Sequence, residues 1–302
     1  MRKLLSLVLV LVLMSSLFIG CAKEEDTTVE ETTAAATTAP AETTAAATQA
    51  GDTLADGVYF ATEPGFSESS GWKGVVTLEV KDGKISSVDW NGASINAGKD
   101  KKTYSKDGEY KMVEFGKAQA EWHEQAALAE AYLLENQSFE GINYTDNEGH
   151  TDSITGVSIH INDFEALVNE ALAAGPVGTG KYVDGAFYAE AASFDDSGWK
   201  ENVSLTVING FIVSANWNGV KQDSEKDKKT TSIDGEYKMV EFGKAQSEWH
   251  EQAMLVEGFL TDVQNLDEIT LTNAEGNTDA ITGVSIKVGA FVELAKQALK
   301  LR

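Results

Sequence analysis

Apolar and polar positions divide the chain into short β-like runs followed by longer amphipathic stretches. Gly74–Val80 and Lys84–Trp90 flank the dipeptide Asp82-Gly83, and Asn209-Gly210 holds the same place in the second half. Both dipeptides favour two-residue turns whose central residues adopt positive φ, so each half is predicted to contain a β-hairpin. Downstream, Phe115, Ala118, Trp122, Ala126, Ala129 and Leu133 recur at spacings of three and four. This single apolar stripe predicts one helix from about Val113 to Leu134. Ile154–Ile161 reads as a strand, after which Asn162 or Asp163 caps a closing helix. Phe164, Leu167, Val168, Ala171 and Leu172 form its apolar face, as do Phe291, Leu294, Ala295, Ala298 and Leu299 in the second half. The predicted class is α+β: two tandem homologous domains, each a mainly antiparallel sheet packed with two helices.

The two halves repeat one another at an offset that settles at 127 residues. The longest block, Asp107 to Ala126, returns at Asp234 to Ala253 with one change, Ala120 to Ser247. Trp90-Asn91-Gly92 returns as Trp217-Asn218-Gly219, and Lys99–Thr103 as Lys226–Thr230. Residues 127–149 and 254–276 have drifted far apart, whereas these blocks have not, which points to a requirement shared by both copies. The predicted domains are 53–175 and 181–302, joined by the Gly- and Pro-containing stretch Gly175–Gly180.

The first fifty residues follow another logic. Arg2 and Lys3 precede an apolar run from Leu4 to Met14, and the segment ends in Phe18-Ile19-Gly20-Cys21. The run is short for a membrane span and lacks a basic stop-transfer cluster, so residues 1–20 read as a cleaved export signal. The Ile19-Gly20-Cys21 ending resembles the lipobox of bacterial lipoproteins, although Phe18 stands where that pattern usually has Leu. The resemblance implies lipidation of Cys21 and a chain held on the outer face of the cell membrane. Residues 21–52, rich in Thr, Ala and Glu, have too few large apolar side chains to offset ordering entropy and read as a disordered tether. The net charge of −24 argues against nucleic acid as a partner. Cys21 is the only cysteine, which excludes intrachain disulfides, iron–sulfur clusters and thioether-linked haem. Redox chemistry, if present, falls to an organic cofactor or to a metal held without thiolates.

The chemistry-bearing segment is Asp152-x-x-Thr155-Gly156-Val157-Ser158, with its twin Asp279-x-x-Thr282-Gly283-Val284-Ser285. It resembles the flavinylation motif of the FMN-binding domain family, Asp-x-x-Ser/Thr-Gly-Ala-Thr/Ser, with Val157 and Val284 in place of the usual Ala. With the lipobox and tether, the chain is most similar in plan to the two-domain extracellular electron-transfer flavin lipoproteins, the PplA-like group. That resemblance implies a flavin transferase that takes FMN from FAD and joins it to Ser158 and Ser285 through a phosphoester, one FMN per domain. It further implies recognition of Asp152 and Asp279 by the transferase. Electrons would arrive from a membrane NADH dehydrogenase and quinone pool and leave to an extracellular acceptor such as ferric iron. Thr155, Gly156, Thr282 and Gly283 complete the candidate cofactor-binding set, with the glycines allowing close approach of backbone to phosphate. Tyr110 and His123, with Tyr237 and His250, are candidate neighbours of the flavin ring. Trp122 lies on the apolar stripe and reads as core. Lys99–Lys102 reads as a solvated loop, the alternative being a role in holding phosphate. His150 and His160 have no histidine counterparts in the second half, which argues against a metal site common to both. Two other readings remain open for the same residues: a Thr-Gly kink within a strand in a non-redox binding lipoprotein for a peptide, sugar or metal, and a flavin enzyme acting on one particular substrate.

Overall fold

The computed structural model describes residues 53–302. The expected signal peptide, Cys21 and the tether all fall outside that range. Among the described residues no helix is long and apolar enough to cross a membrane. The fold is α+β, in two similar halves, each with one antiparallel three-stranded sheet.

In the first half, β1 (Gly57–Thr62), β2 (Trp72–Lys81) and β3 (Lys84–Ser94) lie in the order β1-β2-β3. The predicted hairpin is present: Lys81 pairs with Lys84, and Asp82 and Gly83 take φ of 52° and 72°. Both central residues thus adopt the positive φ that a type I′ turn requires. β1 was not foreseen; its alternation is short and follows the low-complexity stretch directly. Four helices follow: α1 (Lys101–Lys106), α2 (Met112–Gly116), α3 (Trp122–Asn136) and α4 (Asn162–Ala174). The second half repeats the series as β4 (Gly185–Glu190), β5 (Trp199–Ile208), β6 (Phe211–Lys221), α5 (Lys228–Ile233), α6 (Met239–Gly243), α7 (Trp249–Val263) and α8 (Gly289–Ala298).

The two long helices of each half cover one face of its sheet, α3 against β3 and α4 against β1 and β2. Phe164, Leu167, Val168 and Ala171 of α4 are buried, as the periodicity predicts. Trp90 on β3 forms the centre of this core. It stacks on Phe164 at 4.6 Å and meets the edge of Trp122 at 5.2 Å. Trp217 holds the same place in the second half, edge to face with Trp249 at 5.2 Å and tilted against Phe291 at 5.4 Å.

Three sequence expectations are corrected. The helix expected over Val113–Leu134 is two helices with a break at Lys117–Glu121. Lys117 turns left-handed at φ 54°, and Glu121 starts α3 through a reciprocal bond in which its own N–H donates to the Glu124 carboxylate at 2.8 Å. The Glu121 carboxylate accepts the N–H groups of Met112 and Val113, so one residue closes both helix ends. Phe115, assigned to the buried stripe, is 72% exposed. Secondly, Ile154–Ile161 is a string of turns and not a strand. Thirdly, Asn162 is the first residue of α4 and Ile161 precedes it, so neither Asn162 nor Asp163 caps the helix. Asp163 and Glu165 instead place negative charge in its first turn, where the helix dipole favours it.

The stretch 175–180 is hydrogen-bonded at both ends. Val177 and Gly178 donate to the Val58 carbonyl, and Gly180 donates to that of Asn209. Gly180 passes so close to Gly210 that a Cβ there would lie 2.2 Å from its carbonyl oxygen.

Candidate functional site

Between β2, β3, α1, α3 and the segment 158–160 lies a cavity of about 440 Å³, within the range of small-molecule sites. Trp72, Tyr110 and Trp122 form aromatic walls, and Ser158 and His160 stand at one side. Two lysines line the cavity, Lys73 and Lys101, and the Lys101 Nζ lies among the aromatic rings, 4.5 Å from the Trp122 ring centre, 5.2 Å from Tyr110 and 5.8 Å from Trp72. Burial lowers its pKa to about 8, against the weaker pull of Glu63 and Asp163. The Glu63 carboxylate, also in the lining, accepts the Gly74 N–H at 2.6 Å. Asp100 caps α1 by accepting the Thr103 N–H, and that cap aims Lys101 inward. Lys99–Lys102 is therefore not a solvated loop: Lys102, the next residue, is itself bonded to Asp89 and Glu130.

Ser158 is positioned by a buried glutamine on α3. Gln125 is 1% exposed; its side-chain carbonyl accepts the Ser158 N–H at 2.6 Å and the hydroxyl at 3.2 Å. The amide nitrogen of Gln125 donates to the Ala120 carbonyl, which fixes the flip of the side chain. Ser158 itself is exposed. Just before it, Val157 N–H donates to the Ile154 carbonyl across a turn with Gly156 at φ 88°. A Cβ on Gly156 would also meet Leu128 Cδ1 at 3.0 Å. The turn and this close approach to α3 account for the glycine without any phosphate. Asp152 and Thr155 are exposed beside this turn and do not line the cavity.

The second half reproduces the serine clamp. Ser285 N–H and hydroxyl donate to Gln252 at 2.7 and 3.2 Å, and Gly283 takes φ 85°. Asp279 and Thr282 are again exposed. The lysine environment differs. Glu201 stands where the first half has Gly74, and its carboxylate pairs with Lys228 at 2.7 Å and accepts from Trp217 Nε1 at 3.3 Å. Lys228 Nζ lies 4.4 Å from the Trp249 ring and 5.8 Å from Tyr237, so the cage is retained and its charge neutralised.

Of the residues singled out in the sequence, Ser158, Tyr110 and Trp122 meet at one cavity. Burial pushes the Tyr110 hydroxyl pKa up. His123 is not part of the lining: its Nδ1 bonds Ser105 Oγ at 2.9 Å and ties α3 to α1, as His250 does with Ser232 at 2.8 Å. Their role as ring neighbours is therefore not supported by the geometry. Gln125 was missed as a site residue, and Lys101 was read only within a lysine run whose alternative role was to hold phosphate. Both lie in repeated blocks, but only the fold reveals that one faces a cavity and the other holds the serine.

No family model and no curated protein matches the sequence. Two solved structures are similar to it. One is a solution NMR structure of a Clostridium thermocellum protein, 51% identical, covering 38% of this chain and 88% of that one, with a TM-score of 0.31. The other is a crystal structure of a Clostridium perfringens protein, 25% identical over 38% of this chain and 84% of that one, also with a TM-score of 0.31.

Proposed function

We propose that the chain is a membrane-tethered extracellular electron carrier that holds FMN through phosphoesters on Ser158 and Ser285. The observation that supports this reading best is the exposed Ser158 hydroxyl, fixed by Gln125 at the edge of an aromatic cavity that contains a cation. A covalently attached group needs an accessible acceptor on immobile backbone, with a flat apolar recess within reach; the first half has all three. Trp72, Tyr110 and Trp122 offer faces to a planar ring, and Lys101 offers positive charge to an anionic group. In the second half Ser285 is held identically, while Glu201 removes the net charge beside it. Bound FMN would supply the electron-transfer chemistry; the protein's part is to position it and set its electrostatic surroundings. The flavin transferase would transfer the FMN unit of FAD to the serine oxygen and release AMP. On this reading the electron source is a membrane NADH dehydrogenase with its quinone pool, and the acceptor is extracellular, such as ferric iron.

The test is intact mass of the chain co-expressed with a flavin transferase, as wild type, Ser158→Ala, Ser285→Ala and the double variant. Two FMN groups on the wild type, one on each single variant and none on the double are expected. No flavin on the wild type, with a transferase active on a control substrate, would overturn the reading. The cavity around Lys101 would then stand as a site for a small organic anion in a non-redox binding lipoprotein.

A further inference from the structure

We propose that the first half carries a binding site for a borderline divalent cation of the zinc class, made by Glu148, His150 and His160. The ligand atoms that these three residues can offer lie within 4.8 Å of one another. His150 and His160 present their rings edge to face with centres 4.3 Å apart, and His160 Nε2 lies 3.9 Å from the Glu148 carboxylate. Two imidazoles and one carboxylate suit zinc and its neighbours better than the all-oxygen shells of magnesium or calcium. Three protein ligands leave a position for water.

The backbone around the cluster is fixed. Thr145 N–H donates to the His150 carbonyl across the turn, and Ile161 N–H donates to the Gly149 carbonyl, joining the two segments that supply ligands. Asp146 organises the turn further: one carboxylate oxygen accepts the N–H groups of Glu148 and His150, and the other bonds His150 Nδ1 at 2.6 Å. A carboxylate on one imidazole nitrogen selects the tautomer whose other nitrogen carries the lone pair. His150 is thereby left with Nε2 as its ligating atom.

The second half serves as an internal comparison. Asn273 replaces Asp146 and accepts the same two backbone N–H groups, so the turn forms without a histidine. Asn277 replaces His150 and Lys287 replaces His160, and the Lys287 ammonium lies 3.5 Å from Glu275, the counterpart of Glu148. An ammonium thus stands beside the glutamate where the first half has two imidazoles with room for a cation. The paired histidines are therefore not needed to build the turn. The site stands apart from the flavin reading, with which it shares only His160 at the cavity edge.

The test is calorimetric titration of zinc chloride into the full chain carrying Cys21→Ser, which removes the lone thiol, with histidine side-chain nitrogen NMR in parallel. One zinc per chain is expected, with shifts at His150 and His160 and none at the serine-bonded His123 and His250. Asp146→Asn should weaken binding about tenfold, and His160→Lys should abolish it while leaving the spectrum otherwise folded. Ser158→Ala should leave zinc binding intact, so a failed flavin test and a failed metal test are distinguishable. Absence of saturable binding, or binding undiminished in His150→Ala/His160→Ala, would overturn the proposal.

Discussion

Lys101 and Lys228 occupy equivalent positions in equivalent aromatic cages, yet only Lys228 has a counter-ion. The difference traces to Gly74 against Glu201 and predicts opposite responses to the same substitution. Lys101 is charged in both folded and unfolded chains at pH 7, and its folded pKa of about 8 lies below the ordinary 10.5. The folded state therefore suffers the full cost of burying the charge below pH 8. That cost is relieved as pH rises from about 8 to 10.5, so this group makes the protein more stable toward alkaline pH. Lys101→Met should stabilise the cofactor-free protein at pH 7 by about 1–3 kcal/mol, with the gain shrinking above pH 8. Lys228→Met should instead destabilise by about 2–4 kcal/mol, because it strands a mostly buried Glu201. Urea denaturation of both variants at pH 7 and pH 10 separates the cases; equal effects in the two halves would refute the assignment. None of this was legible in the lysine run itself. A cluster of lysines reads as surface until the fold brings Gly74 or Glu201 beside it.

At the level of elements, each half is drawn together by one glutamate on its central helix. Glu257 of α7 accepts the Trp217 N–H from β6 at 2.6 Å and pairs with Lys229 of α5 at 2.7 Å. Burial raises its carboxyl pKa to about 7, in spite of Lys229 and the Trp217 bond. Glu257→Ala would leave a largely buried ammonium and a strand N–H without partners, and should cost about 3–5 kcal/mol, read as a drop in the urea midpoint. A loss below about 1 kcal/mol would mean that water replaces the carboxylate readily. The hairpins were readable from Asp82-Gly83 and Asn209-Gly210 because turn chemistry is local. The α4 and α8 faces were readable because their period is uninterrupted. The break before Trp122 was hidden, because glutamate is an uncommon residue to start a helix and the apolar spacing continued across Lys117. Ile154–Ile161 imitated a strand because Val157, Ile159 and Ile161 alternate: with Ile154 they are all buried, but the chain reaches them through a turn closed by the Val157 N–H on the Ile154 carbonyl. Ser158 and its motif could be read from sequence, whereas the glutamine that positions it lies 33 residues earlier and is recognisable only in the folded chain.

The two halves form one compact unit, and they meet unequally. Val75 and Ala93 of the first sheet pack with Ile208 and Val213 of the second, and Phe60 lies 4.8 Å from Phe211. The second sheet adds three side-chain bonds to the first half's backbone: Thr206 to Gly98, Ser214 to Ser94 and Asn216 to Asn96. The counterparts of these three residues in the first half are Glu79, Ser87 and Asp89, none of them buried. The pair is therefore not symmetric: at two of the three positions the second sheet has an uncharged polar residue where the first has a carboxylate. Val213 is 2% exposed, and its cluster is separate from the core of either half, which makes it a selective probe. Val213→Asp would bury a carboxylate against Val75 and Ala93 while leaving both Trp-centred cores untouched. Scanning calorimetry of the wild type should show a single transition with equal calorimetric and van't Hoff enthalpies. The Val213→Asp variant should melt in two steps, because each half keeps its own core and loses only the shared one. A single unchanged transition in the variant would mean that the coupling of the halves does not depend on the Val213 contact.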